Sequence, residues 1–288
     1  MQALETRNVS LNYGGGTIID RLSLSIPKHQ ITVFIGSNGC GKSTLLRSMA
    51  RLLKPSEGDI ILDGKQIAEL STKEVARKLS ILPQGPVAPE GLTVFELVKQ
   101  GRYPYQNWMK QWSADDERFV RQALQATKTT ELAERSVDAL SGGQRQRAWI
   151  AMTLAQGTQT ILLDEPTTYL DMAHQIDILD LLFELNEREK TTIVMVLHDL
   201  NLACRYAHHV VALKDKSVYA QGKPEEVISP ELVRHVFGME CEVVPDPFFG
   251  TPLCIPRGKG RRAADYEAKP SKSWKEDKEE FKHELTGS

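Results

Sequence analysis

Gly36-Ser37-Asn38-Gly39-Cys40-Gly41-Lys42-Ser43-Thr44 sets glycines, a lysine and two hydroxyls in the spacing of an anion cradle. In such a loop successive backbone N–H groups point inward and the following helix presents its positive end, which suits a triphosphate. Gly39 and Gly41 permit close backbone approach. Lys42 would reach the β- and γ-phosphates, and the Ser43 hydroxyl would ligate Mg²⁺. A chance glycine-rich turn is the weaker reading, because the match is full length and lies between a buried-strand pattern and a helix pattern. A second group follows at Ile161-Leu162-Leu163-Asp164-Glu165. Asp164 ends an apolar run, so its carboxylate emerges at the carboxyl edge of a sheet, beside the cradle. There it can hold Mg²⁺ through water, and Glu165 is the candidate to polarise an attacking water. Two acids after a strand more often mark a helix start; Pro166 and the spacing from the cradle favour the catalytic reading.

Three further positions gain meaning only from their order. Gln84 follows a strand pattern, where a glutamine is usually polar surface. His198 follows the strand pattern Ile193 to Leu197, where a lone histidine is usually structural; of seven histidines it alone is assigned to chemistry. Leu140-Ser141-Gly142-Gly143-Gln144 reads as a second anion cradle: a serine cap, two glycines, then a helix. Taken alone it is an ordinary helix N-cap. One chain, however, needs only one triphosphate cradle.

These groups require an α/β framework to position them. Ala3 to Pro27 alternates apolar and polar residues around Asn12-Tyr13-Gly14-Gly15-Gly16 and reads as antiparallel strands. Ile31 to Ile35 reads as a strand buried on both faces, feeding a helix from about Lys42 to Leu53 stopped by Pro55. Strands are expected at Ile60 to Leu62, Leu79 to Pro83, Thr160 to Leu163 and Thr192 to Leu197, with helices at Gln146 to Gln156 and about His174 to Glu189. That alternation argues a parallel sheet. Between them, about 85–144 is mainly helical in pattern, an insertion opened by the loop Gly85 to Gly91. The expected division is a core of about 1–84 and 145–256, a helical subdomain of about 85–144, and a charged tail, 257–288, that is poor in apolar residues and reads as disordered. Tyr103, Tyr105, Trp108 and Trp112 cluster in the insertion densely enough to favour a groove, lined by some of them, for a docking helix of a partner subunit; packing of the subdomain is the alternative.

Composition excludes some classes. The 36 basic and 38 acidic residues leave a net charge of −2, so no global field draws the chain to nucleic acid or anionic lipid. The four cysteines are scattered, without a Cys-x-x-Cys pair, and fit small buried residues in a reducing compartment. Met1-Gln2-Ala3-Leu4-Glu5 lacks the charged and apolar regions of a signal peptide, and no apolar stretch approaches the ~20 residues of a membrane span.

In this order the motifs resemble the ATP-binding cassette (ABC) ATPase family, from about Leu4 to about Pro256. The resemblance implies a P-loop NTPase (RecA-like) core with an antiparallel β subdomain and an inserted α-helical subdomain, hydrolysing ATP with Mg²⁺. It implies that Gln84 contacts Mg²⁺ and the attacking water, and that His198 bonds the γ-phosphate and orients Glu165. Tyr13 resembles the aromatic that stacks on adenine, with strand core as the competing reading. Head-to-tail homodimerisation would close Ser141-Gly142-Gly143-Gln144 in trans on the partner's γ-phosphate, with Tyr169-Leu170-Asp171 along the dimer interface. The family more often has a small residue where Tyr169 stands. Gly101-Arg102-Tyr103-Pro104, Thr167 to Asp171 and His198-Asp199-Leu200-Asn201 resemble the ATPases of iron-chelate (siderophore), haem and cobalamin importers. Ferric siderophore uptake ranks first, ahead of haem, cobalamin or a metal ion. The implied setting is the cytoplasmic face of the cell membrane, with permease subunits and an extracytoplasmic substrate-binding protein as partners. A non-transport member acting on nucleic acid or ribosomes is disfavoured: no sustained heptads join Lys42 to Ser141, and the chain carries one cassette.

Overall fold

A computed structural model describes residues 2–13, 15–106 and 112–260, with Tyr13 by its backbone alone. β1 (Gln2–Tyr13) and β2 (Gly16–Pro27) pair as an antiparallel hairpin in the register Leu4↔Ile26. β3 (Ile31–Ile35) is buried at every residue and runs into the glycine loop and α1 (Lys42–Met49). β4 (Glu57–Leu62) pairs with β1, and β5 (Lys65–Gln66) completes a four-stranded sheet in the order β2-β1-β4-β5. α2 (Thr72–Lys78), opened by a Ser71/Glu74 capping box, leads to β6 (Leu79–Leu82). The helical insertion holds α3 (Val94–Lys99), a 3-10 turn over Gln100–Tyr105, and α4 (Ala114–Ala126). α5 (Gly142–Ala155) returns the chain to β7 (Thr160–Asp164). α6 (Met172–Glu189), β8 (Thr192–Val196), α7 (Leu200–Tyr206), β9 (His209–Lys214) and β10 (Ser217–Gly222) continue the alternation. α8 (Pro224–Val227), α9 (Pro230–Phe237) and the hairpin of β11 (Cys241–Pro245) and β12 (Pro252–Pro256) follow.

The second sheet has the order β10-β9-β3-β8-β7-β6, parallel from β9 to β6 with β10 antiparallel at the edge. Successive side chains in a strand point to opposite faces, which explains the two cores. Val33, Ile35, Ile161, Leu163, Ile193 and Met195 pack toward the helices of the insertion and α5 to α7. Phe34, Leu162, Val194 and Val196 join α1 and the antiparallel sheet. Because β3, β7 and β8 are covered on both sides, their carboxyl ends are held rigidly; the glycine loop, Asp164 with Glu165, and His198 leave from those ends, while Gln84 follows the edge strand β6 and Ser141 to Gln144 open α5.

Two element ends differ from the sequence reading. α1 stops at Met49 because Arg51 turns left-handed at φ 61°, with the Ser48 hydroxyl donating to the Leu53 carbonyl; Pro55 lies beyond the stop. α5 begins at Gly142, four residues early, because Ser141 and Gln144 cap it. Trp108 and residues 261–288, most of the charged tail, lie outside the described residues. Among the described residues no helix is long and apolar enough to cross a membrane. Cys204, Cys241 and Cys254 are buried, and burial pushes the Cys204 and Cys254 thiols up to about 12, so they act as small apolar groups.

The insertion is stapled by a buried ion pair. Arg102 donates to Asp116 (2.9 Å) and to the Ala155 and Gln156 carbonyls, tying the 3-10 turn to α4 and the end of α5. Its guanidinium lies over Tyr105 (3.9 Å) and Phe119 (4.3 Å). Burial works to raise the Asp116 carboxyl, but the Ser113 hydroxyl and Arg102 outweigh it and hold Asp116 below the usual range. Tyr105 thus lies half-buried under Arg102, and Trp112 rests half-buried against the helical core under Lys99; Tyr103 stays 63% exposed. Arg102→Ala is expected to lower the unfolding free energy by about 3–5 kcal/mol, since it removes the counter-charge of a buried carboxylate and leaves it only the Ser113 hydrogen bonds. Urea unfolding checks this, and a loss below about 1 kcal/mol, the range of an exposed pair, would contradict it. The depressed Asp116 carboxyl contributes fully above the ordinary carboxylate range, and that contribution disappears as pH falls through its folded value.

Candidate functional site

The glycine loop leaves β3 through backbone conformations that side chains resist. Gly36 has φ 147°, and a Cβ there would lie 2.4 Å from the Leu213 carbonyl oxygen on β9. Gly41 has φ 101° and stands at the N-cap of α1, which no side chain caps. The first-turn N–H groups of α1 are therefore open to an anion. Lys42 is 4% exposed, and its ammonium donates to the Gly36 (2.8 Å) and Ser37 (2.9 Å) carbonyls, curling over the loop.

Opposite the loop, Asp164 closes β7 and is buried. The Ser43 hydroxyl donates to its Oδ1 (2.7 Å), while Oδ2 is buried without a hydrogen-bond partner and Arg47 stands 3.9 Å away. Burial raises the Asp164 pKa, with the Ser43 hydrogen bond opposing it. An orphaned carboxylate oxygen beside a hydroxyl is a donor set that fits a hard divalent cation. Among the described residues no three His, Cys, Asp or Glu side chains form a complete cation cage. That is the ordinary situation for Mg²⁺, which is held by one or two carboxylates together with substrate phosphates.

The chain bends at Glu165, which adopts a left-handed conformation at φ 54°. Both carboxylate oxygens are engaged. Gln84 Nε2 (2.6 Å) and the Thr168 hydroxyl (3.0 Å) donate to Oε2, and His198 Nε2 lies 2.7 Å from Oε1. Loop, Gln84, Glu165 and His198 line one cleft of about 470 Å³. A carboxylate oriented by three side chains and facing a phosphate cradle can hold a water for in-line attack. Thr168 was not singled out from the sequence. Its signal is a hydroxyl three residues beyond Glu165 across Pro166, a spacing that a turn folds back onto the acid.

Ser141, Gly142, Gly143 and Gln144 do not line that cleft. They form the first turn of α5, where the Ser141 hydroxyl accepts from the Gln144 N–H and the Gln144 side chain accepts from the Ser141 N–H. Asp171 caps α6 in the same way, accepting from the His174 N–H, and these bonds hold its carboxyl below the usual range. Tyr169 reaches the cleft edge at φ 65° and is 92% exposed. The Tyr13 side chain falls outside the described residues.

A family model described as ABC transporter matches residues 19–168. Over 261 residues, 91% of this chain and 96% of the relative, the sequence is 71% identical to the petrobactin import ATP-binding protein FpuD of Bacillus anthracis. It is 62% identical over 259 residues, 90% of this chain and 96% of the relative, to the achromobactin transport ATP-binding protein CbrD of Dickeya dadantii (strain 3937). Among solved structures, the dimeric post-hydrolysis state of the ATP-binding cassette MJ0796 bound to ADP and Pi superposes with a TM-score of 0.68. It is 30% identical, over 76% of this chain and 98% of that one.

Proposed function

The chain belongs to the ABC transporter family, and from that premise we propose that it is the ATP-hydrolysing subunit of an importer that draws a ferric siderophore through a separate permease. The observation that carries the ATPase reading is the Gln84–Glu165–His198 cluster facing the phosphate loop. The cargo reading is supported by the 71% and 62% identity to petrobactin and achromobactin transport ATPases. No feature of the cleft favours haem, cobalamin or a metal ion.

Residues Gly36, Ser37, Asn38, Gly39, Cys40, Gly41 and Thr44 wrap the triphosphate with backbone N–H groups and the start of α1. Lys42 exchanges the Gly36 and Ser37 carbonyls for phosphate oxygens. Ser43, Gln84 and, through water, Asp164 would hold Mg²⁺, which would neutralise charge on the phosphate oxygens. Glu165 polarises the attacking water, Gln84 and His198 fix its carboxylate, and Tyr13 stacks on the base. Two copies assemble head to tail, so that Ser141 to Gln144 of one chain completes the site of the other and Asp171 lies along the interface. The dimer works at the cytoplasmic face of the membrane, attached to permease subunits that receive cargo from an extracytoplasmic binding protein. The one-cassette division follows: a core of about 1–84 and 145–256 with its helical insertion.

The test is uptake. Permease and binding protein of the same operon, reconstituted in vesicles with this chain inside, are expected to accumulate ⁵⁵Fe-labelled siderophore only with ATP. Accumulation undiminished when the chain is omitted would overturn the reading. Uptake of haem or cobalamin in place of the ferric chelate would move the cargo assignment alone.

A further inference from the structure

We propose that His174 is a positioning residue that locks the start of α5, with Ser141 to Gln144, against the Asp171 loop of its own chain, and so sets how that helix start meets the triphosphate of a second copy. The inference rests on the in-trans role of Ser141 proposed above. His174 Nδ1 lies 2.7 Å from Asp171 Oδ1 and its backbone N–H donates to the same oxygen at 2.9 Å, so loop and ring are fixed together. The ring lies against Gly143. A Cβ at Gly143 would stand 2.4 Å from His174 Cδ2 and 3.0 Å from Cγ, so the second glycine of the motif is also the space the ring occupies. Neighbouring contacts carry the same joint. Gln175 Nε2 donates to the Leu170 carbonyl (2.9 Å), and Arg147 on α5 pairs with Asp177 on α6 (2.5 Å).

Glu165, in contrast, is held by Gln84, Thr168 and His198. Loss of the His174 ring therefore frees the α5 start and leaves the acid in place. The consequence is directional: the defect appears at the site the affected chain completes, and not at the one whose Glu165 it carries.

Mixed dimers of Lys42→Ala and Ser141→Arg chains isolate one composite site, with the phosphate loop from the Ser141→Arg copy and Ser141 from the Lys42→Ala copy. His174→Ala in the Lys42→Ala copy is expected to lower kcat for ATP by about tenfold or more, as misplacements near 1 Å do, while the same change in the Ser141→Arg copy stays within about twofold. His174→Asn, whose amide can donate to Asp171 but leaves the space beside Gly143 empty, should recover only part of the loss. If His174→Ala does not fold, His174→Leu, which fills that space but cannot donate, is expected to show a smaller loss confined to the same copy. Equal losses from either copy, no loss from either, or full recovery by His174→Asn would overturn the proposal. Absence of turnover in mixed dimers with His174 intact would instead remove the in-trans reading, and this inference with it.

Discussion

Glu165→Gln protein should bind ATP as the native chain does and hydrolyse it about 10²–10⁴-fold more slowly, the usual consequence of removing a general base. The separation follows from which contacts change. Lys42, Ser43 and the loop N–H groups, which would take the triphosphate, make no contact with the Glu165 carboxylate. A glutamine amide oxygen can still accept from Gln84 and Thr168, so the local turn should survive. What disappears is the negative charge facing the cleft, and a rate loss of that size corresponds to about 3–5 kcal/mol of transition-state stabilisation. ATP-bound dimers, normally consumed by turnover, should then accumulate and appear by size-exclusion chromatography. Equilibrium nucleotide binding and steady-state turnover together check this, and native-rate hydrolysis by the variant would remove Glu165 from its role.

How much of this was legible before the structure depended on how local each cause is. The buried runs at Ile31–Ile35, Thr160–Asp164 and Thr192–Val196 were readable because a strand covered on both faces needs an unbroken apolar sequence. The glycine loop was readable because its spacing is its mechanism. The true end of α1 was not, since it turns on Arg51 adopting a left-handed conformation that residue type does not announce. Nor was the role of Arg102: its partners lie at Asp116 and at Ala155 and Gln156, far away in sequence, and only the packed insertion brings them together. Tyr105 and Trp112 had two readings as exposed anchors or as packing; each carries a cation of its own chain over its ring, and Trp112 also rests on the helical core, contacts that follow only from the fold. In the site, Asp164, Glu165, Gln84 and His198 were found by order along the chain. Thr168 and His174 each contact an acid three residues earlier, Glu165 and Asp171, and only the folded turn shows that those contacts are made.

The second large effect concerns the dimer. Lys42→Ala removes the ammonium from the phosphate loop, and Ser141→Arg fills the approach to the second cradle with a bulky cation; each protein alone should be almost inactive. Neither loss should come from unfolding. Replacing the Ser141 cap costs about 0.5–2 kcal/mol, against a typical domain stability of about 5–15 kcal/mol. Lys42 touches mainly loop carbonyls and the Cys40 sulfur, so its removal opens no core. The central claim is that one catalytic site is built from two chains: the phosphate loop and Glu165 of one, Ser141 to Gln144 of the other. Its most direct test is ATP turnover as Lys42→Ala and Ser141→Arg proteins are mixed in varying ratio at constant total concentration. The account predicts turnover near zero at either extreme and a maximum at equal mixing, where mixed dimers, each with one intact composite site, are most abundant. A flat, inactive profile, or turnover at native rates by an enforced monomer, would contradict it.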